Sequence, residues 1–250
     1  MRRWLDAVLD LLLPPTCEVC DAPLPGAEER ALCAACRATM SPPSAPLCAI
    51  CGVPLDAAVD GPCATCRSVP PAFATARAAA VYQTGGADAL GRAVQRLKYD
   101  RRRALAAPLG RLMAARYPFP RAALVVPVPL HVRRLRVRGF NQAELLATVV
   151  GRRCGVVVAT DVLVRRKATV AQPGLGAAAR RANLRDAMCV VDPARVAGRH
   201  VVLVDDVLTT GAMADACARV LRAAGARRVD VFTLGRAPAP SALEPQGSRR

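Results

Sequence analysis

Two adjacent carboxylates, Asp205 and Asp206, follow an apolar run in the stretch VVLVDDVLTTGAM, residues 201–213. The apolar run predicts a buried strand, and the residues from Gly211 onward have helical spacing. Between them, the hydroxyls of Thr209 and Thr210, the backbone N–H groups and the positive helix end form a typical anion site. Like charges side by side are unfavourable unless cationic or hydroxyl-bearing groups face them. A phosphorylated sugar satisfies both features, whereas the plainer alternative is a helix-capping threonine beside solvated aspartates.

Eight of the eleven cysteines form four C-x-x-C pairs near the N-terminus. Two such pairs can complete the tetrahedral sulfur shell of a structural zinc site, with no open position for catalysis. Pairing in sequence order gives two sites, and interleaved pairing (first with third, second with fourth) is the alternative. A disulfide scaffold and an iron–sulfur cluster are the competing interpretations, disfavoured by a cytoplasmic setting and by the spacing. The predicted zinc ligands are Cys17, Cys20, Cys33, Cys36, Cys48, Cys51, Cys63 and Cys66.

The chain is strongly basic, with 36 Lys and Arg against 19 Asp and Glu and a formal net charge of +17. Such an excess favours a polyanionic partner, namely nucleic acid, phosphate-bearing ligands or an anionic membrane surface. Arginine-rich codon usage is the bland alternative. Asp6 and Asp10 interrupt the N-terminal apolar run, which argues against a signal peptide, and no run is long enough to span a membrane. We therefore expect a cytoplasmic protein.

Beyond the cysteines, patterns typical of strands alternate with patterns typical of helices. This order predicts an α/β fold, with a mainly parallel sheet covered by helices on both faces. The predicted strands are 76–84, 123–129, 155–161, 201–206 and 227–236, and the predicted helices are 86–98, 104–117, 140–153 and 211–226. The expected domains are a short N-terminal helix (1–16), a zinc-binding module (17–72), the α/β domain (73–236) and a disordered tail (237–250).

Ligands bind such sheets at the carboxyl ends of the strands, where three polar or basic loops fall, at 127–139, 165–185 and 205–211. The first loop carries a row of guanidiniums, which suit a polyphosphate because each can bind it with two hydrogen bonds. The second loop reads as a mobile segment leading into a short basic helix. The same cations would also suit a nucleic-acid backbone, and the sequence does not separate the two uses. The basic residues concerned are Lys98, Arg101, Arg102, Arg103, Arg133, Arg134, Arg136, Arg138, Arg165, Arg166, Lys167, Arg180 and Arg181.

The stretch VVLVDDVLTTGAM resembles the ribose-phosphate signature of the type I phosphoribosyltransferases. The segments PVPLHVRRLRVRGFNQAELLA (127–147) and TVAQPGLGAAARRANLRDAM (169–188), together with the cysteine-rich N-terminus, resemble the ComF family of competence-associated proteins. The resemblance extends from residue 17 to about residue 236. It implies a type I phosphoribosyltransferase-like fold carrying an N-terminal zinc module of the double-ribbon type.

The resemblance also implies roles for individual residues. Asp205 and Asp206 would hold the ribose hydroxyls of phosphoribosyl pyrophosphate, and the residues after them would cradle its 5′-phosphate, with Mg²⁺ as the accompanying ion. The family signature commonly ends in a hydroxyl residue, where this chain has Met213. The implied ribose-phosphate residues are Asp205, Asp206, Val207, Leu208, Thr209, Thr210, Gly211, Ala212 and Met213. The implied pyrophosphate and flap residues are Lys98, Arg133, Arg134, Arg138, Arg166, Lys167 and Gln172.

Two functions follow as hypotheses. One is a magnesium-dependent phosphoribosyltransferase-like protein with an unknown acceptor and no residue assigned as a general base. The other is a non-catalytic competence factor that handles single-stranded DNA during uptake and contacts protein partners of the uptake machinery. The two hypotheses are compatible, because a DNA-uptake factor could also bind phosphoribosyl pyrophosphate.

Overall fold

A four-stranded parallel sheet forms the body of the protein. Its strands lie in the order β1 (Ala76–Val81), β6 (Arg228–Arg236), β5 (His200–Leu208) and β2 (Leu124–Pro127). We describe it from a computed structural model, for residues 15–24, 31–56, 61–83, 86, 88–166 and 187–238. A separate two-stranded antiparallel ribbon is formed by β3 and β4. The strands are β1 (Ala76–Val81), β2 (Leu124–Pro127), β3 (Leu163–Arg165), β4 (Met188–Val190), β5 (His200–Leu208) and β6 (Arg228–Arg236).

Helices connect the parallel strands, as a parallel sheet requires. Asp88 caps the third helix by accepting from the N–H of Gly91 at 2.6 Å, and Asn141 caps the sixth in the same way. The helices are α1 (Ala34–Ala38), α2 (Ala64–Ser68), α3 (Ala89–Tyr99), α4 (Ala106–Ala115), α5 (Val132–Arg138), α6 (Gln142–Cys154) and α7 (Ala212–Ala223). Short 3₁₀ turns span Arg103–Leu105 and Pro193–Arg195.

Strand β5 is buried on both faces, which explains its nearly continuous apolar sequence. Val202 and Val204 point into a core with α3, α4 and α6, whereas Val201 and Leu203 point into a second core with α7 and the β3-β4 ribbon. Helices therefore cover both faces of the sheet, and the expected α/β class with a cysteine-rich N-terminal module is confirmed.

The first cysteine segment, which contains Cys17 and Cys36, packs on the face of the sheet that α3 and α4 cover. Val19 and Leu24 belong to the same apolar core as α3 and α4. From α3, Arg96 donates to the carbonyl of Glu18 at 2.8 Å and pairs with Asp21. This half of the module is thus continuous with the core of the α/β domain.

The second cysteine segment packs against the edge of the sheet instead. The N–H of Ala76, at the start of β1, donates to the carbonyl of Ile50 at 2.6 Å. Gly52 has φ +66°, and a Cβ there would lie 2.5 Å from the carbonyl oxygen of Ala76. Only glycine allows both that backbone conformation and that approach.

Three features differ from the sequence-based expectations. The basic stretch predicted as a loop contains α5, which His131 caps with its ring nitrogen and Gly139 ends at φ +82°. The predicted strand at 155–161 is reduced to one parallel bridge between Val158 and Val125, at the edge of β2. Strand β5 continues to Leu208, because the residues that follow Asp206 still pair with β6.

Several expectations concern residues beyond the described ranges. These are the N-terminal helix, most of the predicted flap (167–186) and the tail from 239 onward. The proposed domain boundaries stay predictions. In the part of the chain that the structure describes, no helix combines the length and apolar character needed to cross a membrane.

Candidate functional site

The two adjacent carboxylates lie inside β5, near the carboxyl end of the sheet. Successive side chains of a strand point to opposite faces, so Asp206 faces the α3 side and Asp205 faces the other. Asp206 is buried at 4% exposure, and its carboxylate pairs with the ammonium of Lys98, near the end of α3. The backbone N–H of Asp206 donates to Oδ1 of Asp205 at 2.8 Å. Lys98, which lies far from Asp206 in the sequence, is thus the cation that pairs with it.

Burial and the neighbouring charge of Asp206 raise the pKa of Asp205 well above its ordinary value. Burial alone would lower the pKa of Lys98, but the two aspartates outweigh it and raise that pKa. The arrangement therefore holds Lys98 charged while favouring the protonated form of Asp205. Shifts of this kind, with a named charge partner, are common at functional sites.

Arg138, the last residue of α5, is the second cation near Asp206. Its guanidinium donates to Oε1 of Gln142 at 2.6 Å and lies 5.5 Å from the ring centre of Tyr99. Burial lowers the pKa of Arg138, and the charge of Asp206 acts in the opposite direction. The structure therefore brings together three of the predicted residues, Lys98, Arg138 and Asp206, from three different elements.

A short turn after β5 leads into helix α7, as the sequence predicts. Leu208 is buried, whereas Thr209 and Thr210 are exposed. Gly211 has φ +78° and immediately precedes α7 (Ala212–Ala223). The N–H of Ala212 donates to Oγ1 of Thr210 at 3.4 Å. We refer to residues 208–213 as the β5-α7 turn; it offers exposed hydroxyls at a helix N-terminus, which suits an anion.

The other predicted residues lie on the surface, are partly buried, or lie outside the described residues. Arg133 and Arg134 are exposed on α5, and Arg166 is exposed just after β3. Val207 is half-buried within β5, and Met213, in the first turn of α7, is partly buried and packs against the second core. The predicted flap residues Lys167 and Gln172 lie outside the described residues.

The eight N-terminal cysteines form two clusters in sequence order, and within each cluster the sulfur atoms all lie within 4.8 Å of one another. The sulfurs of Cys20 and Cys33 are 3.7 Å apart, and those of Cys51 and Cys63 are 3.8 Å apart. A tetrahedral shell with zinc–sulfur distances of about 2.3 Å has edges of about 3.8 Å. The first cluster is Cys17, Cys20, Cys33 and Cys36, and the second is Cys48, Cys51, Cys63 and Cys66.

Backbone N–H groups stabilise the thiolate form of one cysteine in each cluster. The sulfur of Cys48 accepts from the N–H groups of Cys63 at 3.2 Å and Cys51 at 3.4 Å. Burial raises the pKa of the Cys48 thiol, but these N–H groups outweigh it and lower the pKa to about 6. For Cys17 the same balance gives a pKa of about 7. Thiolates are the form that binds zinc, so the donor set fits a structural zinc ion in each cluster.

Sequence reasoning did not single out Arg236, the last residue of β6. It is buried at 7% exposure, and its guanidinium donates both to the β5-α7 turn and to Cys51 of the second cluster. Its position at the carboxyl end of a predicted strand was the available signal. Tyr99 and Gln142 were missed because their roles depend on how α3, α5 and α6 meet.

Comparison with protein families identifies a double zinc ribbon domain over residues 8–67. Among solved structures, the chain is similar to a glutamine phosphoribosylpyrophosphate amidotransferase from B. subtilis, at 24% identity and TM-score 0.37. That match covers 52% of this chain and 26% of the amidotransferase. A purine phosphoribosyltransferase from Pyrococcus horikoshii matches at 11% identity and TM-score 0.34, over 58% of this chain and 93% of the enzyme.

Two curated relatives extend the comparison beyond the zinc ribbons. The DNA utilization protein YhgH of Escherichia coli is 34% identical over 234 residues, which are 90% of this chain and 99% of the relative. Competence protein F of Haemophilus influenzae is 38% identical over 114 residues, 45% of this chain and 50% of the relative. With near-complete coverage of the first relative, and the zinc-ribbon and β5-α7 features in place, the chain belongs to the ComF family.

Proposed function

We propose that this protein binds phosphoribosyl pyrophosphate with Mg²⁺ at the carboxyl end of β5, as part of a role in DNA uptake or utilization. The DNA role is proposed from the names of its relatives, a DNA utilization protein and a competence protein. In this proposal Asp206 binds the ribose hydroxyls from the α3 side of β5, and Asp205, on the other face, supports it by accepting from its backbone N–H. The β5-α7 turn holds the 5′-phosphate, and Lys98 and Arg138 contact the pyrophosphate. Whether the protein transfers the ribosyl group to an acceptor is a separate matter, since no residue is assigned as a general base.

One observation carries this proposal: Asp206, which forms a buried ion pair with Lys98, lies two residues before an exposed turn at a helix N-terminus. A buried ion pair contributes little net stability, because desolvating both charges offsets their attraction. Acidic and basic groups held in this way beside an open turn are better explained as ligand-binding groups than as supports for the fold.

The site would act through position and charge. The guanidinium of Arg138 is held by Gln142 and by the ring of Tyr99, which limits the entropy lost when it meets an anion. Mg²⁺, when bound with the ligand, would neutralise charge on the leaving pyrophosphate. Fixed cations around that charge are the main contribution the chain itself could make to a ribosyl transfer.

Calorimetry with phosphoribosyl pyrophosphate, with and without Mg²⁺, tests the proposal. We expect binding by the wild-type protein and a loss of at least tenfold in affinity for Asp206→Asn. Asp161→Asn is the matched control, because Asp161 is an exposed carboxylate paired with Arg195 at 2.7 Å. Absent binding by the wild type, or equal losses in both variants, would contradict the proposal.

The second candidate function, binding of single-stranded DNA, is favoured by the surface of α5. None of its residues is buried, and it presents Arg133 and Arg134 beside Val137, which is 74% exposed. The ring of Tyr99 is 72% exposed next to this surface. Exposed arginines interleaved with an aromatic ring suit a phosphate backbone and a stacked base.

A salt titration with an oligothymidylate tests this second function. Each phosphate contact contributes about 0.7 to the slope of log affinity against log salt for a single strand. We expect Arg133→Ser/Arg134→Ser to lower that slope, whereas Arg152→Ser/Arg153→Ser, which removes the same charge from α6, leaves it unchanged. Equal slopes in both double variants would show that only the general charge matters, and would count against α5 as the DNA surface.

A further inference from the structure

A single arginine joins the second cysteine cluster to the β5-α7 turn. On one side, Arg236 donates from Nε to the carbonyl of Cys51 at 3.0 Å, and a terminal nitrogen lies 3.5 Å from the Cys51 sulfur. On the other side, its second terminal nitrogen donates to the carbonyls of Leu208 at 3.0 Å and Thr209 at 2.9 Å. The fork of the guanidinium is thus divided between a metal ligand and the start of the turn.

The cluster itself is held in a fixed place on the sheet. The carbonyl of Ile50 accepts from Ala76 at 2.6 Å, and Gly52 approaches the carbonyl of Ala76 too closely for any side chain. The second cluster is therefore attached to β1, the strand that pairs with β6 and its last residue, Arg236.

A cavity of about 270 Å³ separates the cluster from the turn, and the two share its walls. Its lining includes Thr65 and Cys66 from the second cysteine segment, and Thr209 and Gly211 from the turn. The Oδ1 atom of Asp215, in the first turn of α7, accepts from the N–H of Ala72 at 2.7 Å. A shift of the second cluster and of the segment that follows it would therefore reach the turn through Arg236 and the first residues of α7 through Ala72.

We propose that Arg236 couples the second zinc site to the β5-α7 turn, so that metal at this site fixes the turn and an anion in the turn strengthens zinc binding. The part that concerns the anion rests on the proposed function. Four thiolates around Zn²⁺ carry a net charge of −2, and a donor to one sulfur offsets part of it. Reciprocity is required, because any free-energy coupling between two sites acts equally in both directions.

Zinc release from the full-length holoprotein to a chelator gives the first readout, and hydrogen exchange of the segment 206–214 gives the second. For Arg236→Gln we expect the affinity of the second site for zinc, measured by equilibrium competition with the chelator, to fall about 10- to 100-fold, the usual effect of losing an outer-shell hydrogen bond. The same variant should exchange its turn amides faster. Arg236→Lys, which keeps the charge but loses the fork, should recover part of both effects.

Arg96→Gln is the matched control. Arg96 donates to the carbonyl of Glu18 beside the first cluster, as Arg236 donates to that of Cys51 in the second. We expect it to loosen the first cluster and to leave exchange in the segment 206–214 unchanged. Wild-type exchange of this segment in Arg236→Gln, or equal exchange in the two variants, would overturn the coupling.

A measurement on the wild-type chain covers the case in which Arg236→Gln does not fold. Replacing zinc by Co²⁺ gives each cluster a thiolate-to-metal absorption band, and phosphoribosyl pyrophosphate should alter the band of one cluster only. If calorimetry detects no binding of this ligand, the proposed function fails, while hydrogen exchange before and after metal removal still decides whether the metal fixes the turn. If the ligand binds and neither band changes, the coupling fails alone.

Discussion

At the scale of single residues, the site depends on how one strand divides two neighbouring acids. Successive side chains of β5 point to opposite faces of the sheet, so Asp206 lies on the face where it pairs with Lys98. Asp205 lies on the other face, and its pKa is raised. The two carboxylates are therefore chemically different although they are adjacent in sequence.

Replacing Lys98 by Met tests the ion pair. The change keeps the apolar stem but leaves the Asp206 carboxylate buried without its cation. Removing one member of a buried pair typically costs about 3–5 kcal/mol, and we expect the lower end because Lys98 is 21% exposed. Urea unfolding measures the loss. The double variant Lys98→Met/Asp206→Asn should recover most of it, and additive losses would show that the two residues are not coupled.

Replacing Asp205 by Asn tests its raised pKa. A carboxyl whose folded pKa is raised binds more protons when folded, so its contribution to stability falls as pH rises from about 4 toward the folded pKa. The free-energy advantage of Asp205→Asn over the wild type should therefore be small near pH 4.5 and grow toward neutral pH. Asp161, whose pKa is lowered by Arg195, changes its contribution to stability only below about pH 4, so the effect of Asp161→Asn should stay constant over this range. Urea unfolding across this range would contradict the prediction if the advantage of Asp205→Asn did not change.

At the scale of elements, the sequence was informative wherever local pattern decides structure. The apolar run of β5, the glycine before α7 and the spacing of the C-x-x-C pairs all act over a few residues, and all agree with the structure. The basic stretch before Gly139 was misjudged as a loop, because its apolar residues are exposed and gave no buried helical stripe. The contacts of Lys98 and Arg236 could not be predicted, since each joins segments far apart in sequence.

Gly52 allows a prediction about how the second cysteine segment is attached to the sheet. Gly52→Ala places a methyl group 2.5 Å from the carbonyl oxygen of Ala76, at φ +66°. Gly61→Ala, at φ +95° with no atom within 4 Å of the new methyl, carries the backbone strain alone. Strain of this kind costs about 1–2 kcal/mol, and the clash should add about 1–3 kcal/mol for Gly52. Thermal unfolding of the zinc-loaded proteins measures both, and similar midpoints would show that the approach to Ala76 is unimportant.

At the scale of the whole molecule, the first and second cysteine segments, here called the two zinc ribbons, contact different parts of the α/β domain. The first shares an apolar core with α3 and α4, and the second supports the β1 edge and the β5-α7 turn. Neither is an appendage joined only by a linker. The full sequence carries a net charge of +17, which attracts anions to the molecule at long range, whereas Lys98 and Arg138 lie close to Asp206 at one point of the sheet.

Removal of zinc should therefore destabilise the whole chain rather than melt a separate module. We expect two zinc ions per chain, one for each cluster, and a single unfolding transition that moves to lower temperature when a chelator removes them. Structural zinc contributes about 10–16 kcal/mol per site in isolated peptides, which is more than most domains can lose. Apolar residues of the first ribbon, such as Val19 and Leu24, would also leave the core, at a cost of about 25 cal/mol per Å² of apolar surface exposed.

Metal analysis and circular dichroism, both in the presence of a thiol reductant, measure these effects. Adding zinc back to the chelated protein is the control, because recovery of the transition separates metal loss from oxidation of the cysteines. An unchanged midpoint after complete removal of zinc would mean that the sheet is stable without its ribbons. A separate low-temperature transition confined to the N-terminal segment would contradict the shared core inferred from Val19 and Leu24.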